Sequence, residues 1–208
     1  IRGNDAQLNP YDRYALEAAL RVRDAVGGRI TAITMGPETA HKTLQEAAAM
    51  GADRLILLSD PAFSGADVYA TAATLACAIK QLCGSFHLVL CGRQSTDGST
   101  AQSGPALASM LNLPFCSWTR QILSLCPQGV LVEQQVSEGI QTVQLTFPCL
   151  LSVEPEIGTP RMPGIRQSLM ALHAPIHTYT AADLPGGAQH FGQKGSKTKV
   201  TRVYAPPT

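Results

Sequence analysis

The sequence predicts an α/β domain on a mostly parallel, Rossmann-like sheet with helices on both faces, an antiparallel strand extension and a C-terminal arm. Three observations carry this. Helical and strand-like patterns alternate from residue 9 to residue 111, with short loops between them. The strand-like runs LILL and LVLC are continuously apolar, as strands covered on both faces are. Glycine or proline closes each element, at Gly27-Gly28, Gly36-Pro37 and Gly51.

Taken in order, Asn9-Pro10 opens a helix, with asparagine suited to the N-cap and proline to the first helical position. That helix is expected to reach Val26, with Ala15, Ala18, Ala19 and Val22 along one face. Strands are expected over residues 29–35, 54–58 and 86–91, and helices over 38–50, 67–82 and 101–111. A sheet of this kind opens with a strand, and the residues before Asn9 are too few to hold one. A strand is therefore expected ahead of Ile1. Beyond Leu113-Pro114 the texture changes. Four strand-like runs, at 116–125, 129–136, 140–146 and 149–153, are joined by turn signals and read as an antiparallel meander. Residues 165–172 suit a short helix and 175–179 an extended piece. We divide the chain into an α/β domain over residues 1–180 and an extended arm over 181–208, expected to lie on a partner.

The composition excludes several classes of function. The chain has 208 residues, a formal net charge of +1 and 45% hydrophobic residues, so no charge excess calls for nucleic acid or an anionic membrane. No apolar run approaches the roughly 20 residues of a membrane span. The six cysteines form no CxxC pair and the five histidines have no metal-ligand spacing, so no metal site is expected. A reduced, cytoplasmic setting fits that cysteine usage.

The centre of the chain is LVLCGRQSTDGSTAQSGP, a strand end, a loop of glycines and hydroxyls, and a helix start. Such a turn brings free N–H groups and glycine backbone close to an anion. It reads either as the phosphate cradle of a nucleotide cofactor or as an ordinary capped polar loop. No Walker lysine stands beside it, which argues against nucleotide triphosphate hydrolysis. No G-x-S-x-G elbow is present, which argues against a hydrolase. If right-handed crossovers bring the strand ends to one edge, residues 9–12, 35–37, 59–67 and 92–103 converge there.

Beyond pattern, the chain resembles the beta subunits of electron transfer flavoproteins. The resemblance lies in NPYDRYALEAAL, ITMGPETAHKTLQEAAAMGADRLILL, LVLCGRQSTDGSTAQSGPALASMLNLP and VEQQVSEGIQTVQLTFPCLLSVEPEIGTPRMPGI, together most of the chain. It implies a heterodimer with an alpha subunit that carries FAD. It implies electron passage between dehydrogenases of the acyl-CoA type, or NADH, and other redox partners. It also implies FAD, or alternatively AMP, in the beta subunit. The implied cofactor contacts are Asn9, Pro10, Tyr11, Asp12 and Met35. The phosphate loop supplies Gly92, Arg93, Gln94, Ser95, Thr96, Asp97, Gly98, Ser99, Thr100, Ala101, Gln102 and Ser103.

DGSTAQ, SDPAFSGADVYATAATLA and FGQKGSKTKVTRVYAPP resemble the electron-bifurcating branch. There a second FAD would face Asp67 and Thr71, NADH is the donor, and ferredoxin or flavodoxin is the low-potential acceptor. Val68 and Lys197 depart from that branch, which more often has threonine and proline. PRMPGIRQSLMAL resembles the loop that grips a partner dehydrogenase, with Ile165 as the plug. Leu169, Met170, Leu172 and His173 replace the lysines that usually follow. A non-redox adenine-nucleotide-binding regulator shares the α/β layout but needs neither that loop nor the tail.

Overall fold

The computed structural model describes residues 7–95 and 100–198. Helix α1, Pro10–Val26, is followed by strand β1, Thr31–Met35, helix α2, His41–Met50, and strand β2, Arg54–Leu58. Helix α3, Val68–Leu82, leads to β3, Leu88–Gly92, and α4, Ser103–Leu111, follows the central loop. Strands β4, Phe115–Cys126, β5, Gly129–Val136, β6, Gly139–Thr146, and β7, Cys149–Val153, come next. Helix α5, Ile165–Ala171, strand β8, Ile176–Tyr179, and the four-residue helix α6, Gly192–Gly195, complete the described elements. The α/β class and the antiparallel extension are as the sequence predicts.

The strands form two sheets, in the orders β1-β2-β8 and β3-β7-β4-β5-β6. β4, β5 and β6 are antiparallel neighbours, but β7 pairs in parallel with both β3 and β4. The expected four-strand meander is thus corrected to three strands. The physical reason is burial. All five residues of β7 are buried, so the run belongs at the centre of a covered parallel sheet and not at a solvated edge. The extended piece at 176–179 likewise joins β2 in parallel.

β1 and β3 are edge strands, and all but Gly92 of their residues are only half-buried, in contrast to β7 and most of β2. The N–H of Gly36 bonds to Leu58, and Ile30 accepts from Arg54, so even-numbered residues of β1 face β2. The main-chain groups of Thr31, Ile33 and Met35 therefore point to the open side. The same alternation, set by the Cys149–His87 and Arg93–Val153 bonds, turns those of Leu88 and Leu90 outward from β3. The side chains of Ile33 and Val89 nevertheless pack against one cluster of α3 and α4 residues. The two edges thus share a single roof of α3 and α4 residues.

Residues 181–198, expected as the start of an extended arm, instead form short helical turns on their own domain. Ala181, Leu184 and Phe191 are buried with Ile56 and Phe63, and the Phe63 and Phe191 rings meet edge to face at 5.4 Å. Residues 199–208 lie outside the described residues. Among the described residues, no helix is long and apolar enough to cross a membrane.

Candidate functional site

The candidate site is built where the first turn of α1 meets the end of β3. Gly92 has no room for a side chain: a Cβ there would lie 2.5 Å from the Tyr11 carbonyl carbon and 2.8 Å from the Asp12 nitrogen. The Gly92 N–H donates to Asp12 Oδ1 at 2.7 Å. Asp12 Oδ2 accepts from Asn9 Nδ2 at 3.0 Å, and the same Nδ2 donates to the Gln94 carbonyl at 2.8 Å. Asn9 stands at the N-cap as expected, yet its side chain makes no capping bond. It ties α1 to the loop instead. Burial raises the Asp12 pKa above its ordinary value, against the bonds from Gly92 and Asn9, which lower it.

Arg93 follows Gly92 at the end of β3, its N–H on the Val153 carbonyl. Its guanidinium lies 5.5 Å from the centre of the Trp118 ring, and Nη1 approaches Glu154 Oε1 at 3.3 Å. Trp118 has a left-handed backbone, φ 51°, where the β4 pairing to β7 changes register. A bulky residue in that region is held only by its surroundings, as happens at functional sites. Sequence reasoning missed Trp118 and Glu154. The signal was one tryptophan between Ser117 and Thr119 in a strand-like run, and nothing in the pattern tied it to Arg93.

Of the expected contacts, the fold unites Asn9, Pro10, Tyr11, Asp12, Gly92, Arg93 and Gln94 at one edge. Met35 ends β1 at the same end of its sheet. Ala101 has φ 54° and Gln102 is the N-cap of α4, so Thr100, Ala101, Gln102 and Ser103 turn the chain into that helix. Its first amides can face an anion. Ser95 is described, whereas Thr96, Asp97, Gly98 and Ser99 lie outside the described residues.

Asp67 belongs to a second cluster. Its Oδ1 caps α3 through the Ala70 N–H at 2.9 Å. Its Oδ2 accepts from the N–H groups of Lys197 and Thr198, both at 2.8 Å, and from the Thr198 hydroxyl at 2.9 Å. Burial opposes the Asp67 charge, but these bonds from Ala70, Thr198 and Lys197 outweigh it and lower its pKa to about 2. Thr71 sits one turn along α3, its N–H on the Asp67 carbonyl. In the described structure Asp67 thus fastens the tail to α3.

Two buried side-chain atoms of the first cluster have no partner among the described residues: Asn9 Oδ1, an acceptor, and Arg93 Nε, a donor. Buried polar atoms of this kind call for a ligand or water. Together with the glycine exit of β3 and the N-terminus of α4, they fit a nucleotide with polar edges and an anionic end. The nearby thiol does not suit nucleophilic chemistry. Burial, and then the charge of Asp12, push the Cys91 pKa up to about 12.

Fold and site thus define an α/β domain with a glycine-exit loop at the C-terminal end of a parallel strand. The comparisons narrow that class. The model of the electron transfer flavoprotein domain matches residues 1–184. An electron transfer flavoprotein subunit beta of Thermoanaerobacterium thermosaccharolyticum is 41% identical over 202 residues, which span 97% of this chain and 76% of that protein. The caffeyl-CoA reductase-Etf complex subunit CarD of Acetobacterium woodii is 39% identical, over 96% of this chain and 76% of its own length. Protein FixA of Bradyrhizobium diazoefficiens is 38% identical, over 96% and 72%. The chain belongs to the electron transfer flavoprotein family, on the beta-subunit side.

Replacing Gly92 by alanine is expected to cost about 1–3 kcal/mol, because main-chain atoms and not a flexible side chain occupy the space. Chemical denaturation measures the loss. The Asp67 clasp has its own pH signature. Its folded pKa of about 2 lies below the ordinary 3.8, so its stabilisation is complete above pH 3.8 and is lost as pH falls through 2. Hydrogen exchange at the Lys197 and Thr198 amides should follow that course, and Asp67→Asn should abolish it.

Proposed function

We propose that this chain is the beta subunit of a heterodimeric electron transfer flavoprotein of the electron-bifurcating kind, with FAD in the site formed by α1, β3 and α4. The reading is carried by one observation: the residues that match the family's nucleotide contacts include Asn9 and Arg93, whose buried Oδ1 and Nε have no partner among the described residues. The kinship to a subunit of a reductase-Etf complex supports the bifurcating version.

In this reading Gly92, Arg93, Gln94 and the start of α4 hold the phosphates, while Asn9 and Met35 frame the adenosine. Electron chemistry is the flavin's contribution, and this chain provides placement and polarity. The alpha subunit contributes the other flavin. NADH is the donor and ferredoxin or flavodoxin the low-potential acceptor, in the cytoplasm.

The partner dehydrogenase docks at the segment ahead of α5. Glu17, buried on α1, accepts from the Arg161 N–H at 3.0 Å, from Arg161 Nε at 2.9 Å and from Arg21 Nε at 3.0 Å. Arg21 also donates to the Ile157 carbonyl at 3.1 Å. The anchored segment then carries Met162 and Ile165 outward, 88% and 83% exposed. Leu169, Met170 and Leu172 on α5 and just after it are also exposed, and an apolar protrusion of this size suits a partner's pocket.

Cofactor extraction from the purified heterodimer tests the reading. Two FAD per heterodimer, with reduction by NADH, is the expected result. One FAD plus AMP would replace it with the non-bifurcating version, in which AMP is structural. Ile165→Ala is expected to raise the KM for the partner dehydrogenase by about tenfold or more without changing cofactor content.

A further inference from the structure

The Arg93 guanidinium is gripped from two directions. Glu154 is buried, and its two oxygens lie 3.3 and 3.4 Å from Arg93 Nη1. The Trp118 ring centre lies 5.5 Å from the guanidinium carbon. A bulge brings that ring into place. Cys116 pairs with Leu151 and Thr119 with Val153, so Ser117 and Trp118 together oppose Ser152. Bulges re-aim side chains, and here the Trp118 N–H is fastened to Ser152 Oγ at 3.2 Å. One donor of Arg93 is left over: Nε is buried without a partner among the described residues. In a guanidinium the Nε–H and an Nη2–H run parallel, an edge that matches two oxygens of one phosphate or carboxylate. Glu154 engages Nη1 and leaves that edge to a ligand.

We propose that Glu154 and Trp118 are positioning residues that hold Arg93 so that its Nε edge receives a phosphate of the bound nucleotide. The proposal rests on the nucleotide reading of the site given above. The Arg93 side chain is 40% exposed, so burial alone does not fix it. A long side chain loses much freedom when it is ordered, and a site that orders it beforehand binds more tightly. Trp118 does that ordering by stacking and Glu154 by a charge-assisted hydrogen bond. Glu154 has a second effect. Its charge offsets that of Arg93, so the pair offers the nucleotide a directed hydrogen bond with little net charge. Glu154 and Trp118 need not touch the nucleotide, because both act through Arg93.

The experiment measures AMP and adenosine by calorimetry on the nucleotide-stripped heterodimer; AMP is itself one half of FAD, so it probes either version of the site. Trp118→Leu and Glu154→Ala are each expected to weaken AMP about threefold to tenfold, while adenosine, which lacks the phosphate, stays within about twofold of the natural protein. Trp118→Phe and Glu154→Gln keep a ring and an acceptor, and are expected to retain AMP. Arg93→Met is expected to weaken AMP about tenfold or more, and adding Trp118→Leu to Arg93→Met changes nothing further. If Trp118→Leu does not fold, Glu154→Ala decides. The proposal is overturned if Arg93→Met binds AMP within about twofold of the natural protein, or if AMP and adenosine weaken together in the truncated variants, as a role confined to holding the fold would require. It is also overturned if the conservative variants lose as much as the truncations, or if Trp118→Leu is as harmful on top of Arg93→Met as alone. Absence of AMP binding to the natural protein would instead remove the nucleotide reading itself.

Discussion

The site depends on one close approach, that of the first turn of α1 to the end of β3. It is possible only because residue 92 is glycine, and it is held by the Asp12 carboxylate on the Gly92 N–H. That N–H lies on the open side of β3, where no strand among the described residues pairs with it. A side chain from α1 therefore does the work of a missing ladder bond. Losing that bond would leave the Gly92 N–H without its partner and the Asp12 carboxylate with only the Asn9 amide. Both elements that carry the site are fixed by the same contact.

α1 is then a shared support. Its first turn orients Asn9 and Asp12, and two turns on its Glu17 gathers Arg161 and Arg21. Burial opposes the Glu17 charge, yet the bonds from Arg161 and Arg21 prevail and hold its pKa below the ordinary value. A buried carboxylate with two guanidiniums is a costly arrangement that orders the chain around it. Here the ordered chain is the segment that ends in the exposed Met162 and Ile165. The candidate site and the exposed segment ahead of α5 thus both depend on α1.

The exposed edges of β1 and β3 have the opposite character. Apart from the Gly92 N–H, which Asp12 takes, no strand among the described residues pairs with their outward main-chain groups, while Ile33 of β1 and Val89 of β3 pack against one cluster of α3 and α4 residues. Sheet edges are usually blunted by charge, proline or a bulge. The TAITM and LVLCG edges carry none of these. They are edges only in pairing, with the composition of interior strands.

Element order, nearly every helix start and the polar loop after β3 were legible in the sequence. These follow from local rules: proline at the first turn of α1, glycine after α2, continuous apolar runs in covered strands. The family was legible too, through NPYD and GRQSTDGSTAQSG. Local pattern could not place 149–153 between β3 and β4, because an apolar run of five residues is the same in a meander and in a parallel core. It could not show that Asn9 declines its cap to bind Gln94, since a cap and a long-range tie use the same amide. Nor could it tell that Asp67 would meet Lys197 and Thr198, or that Arg93 would lie against Trp118 and Glu154. Those partners are far apart in the chain, and only the packing of the sheet decides which of several equally polar neighbours a side chain reaches.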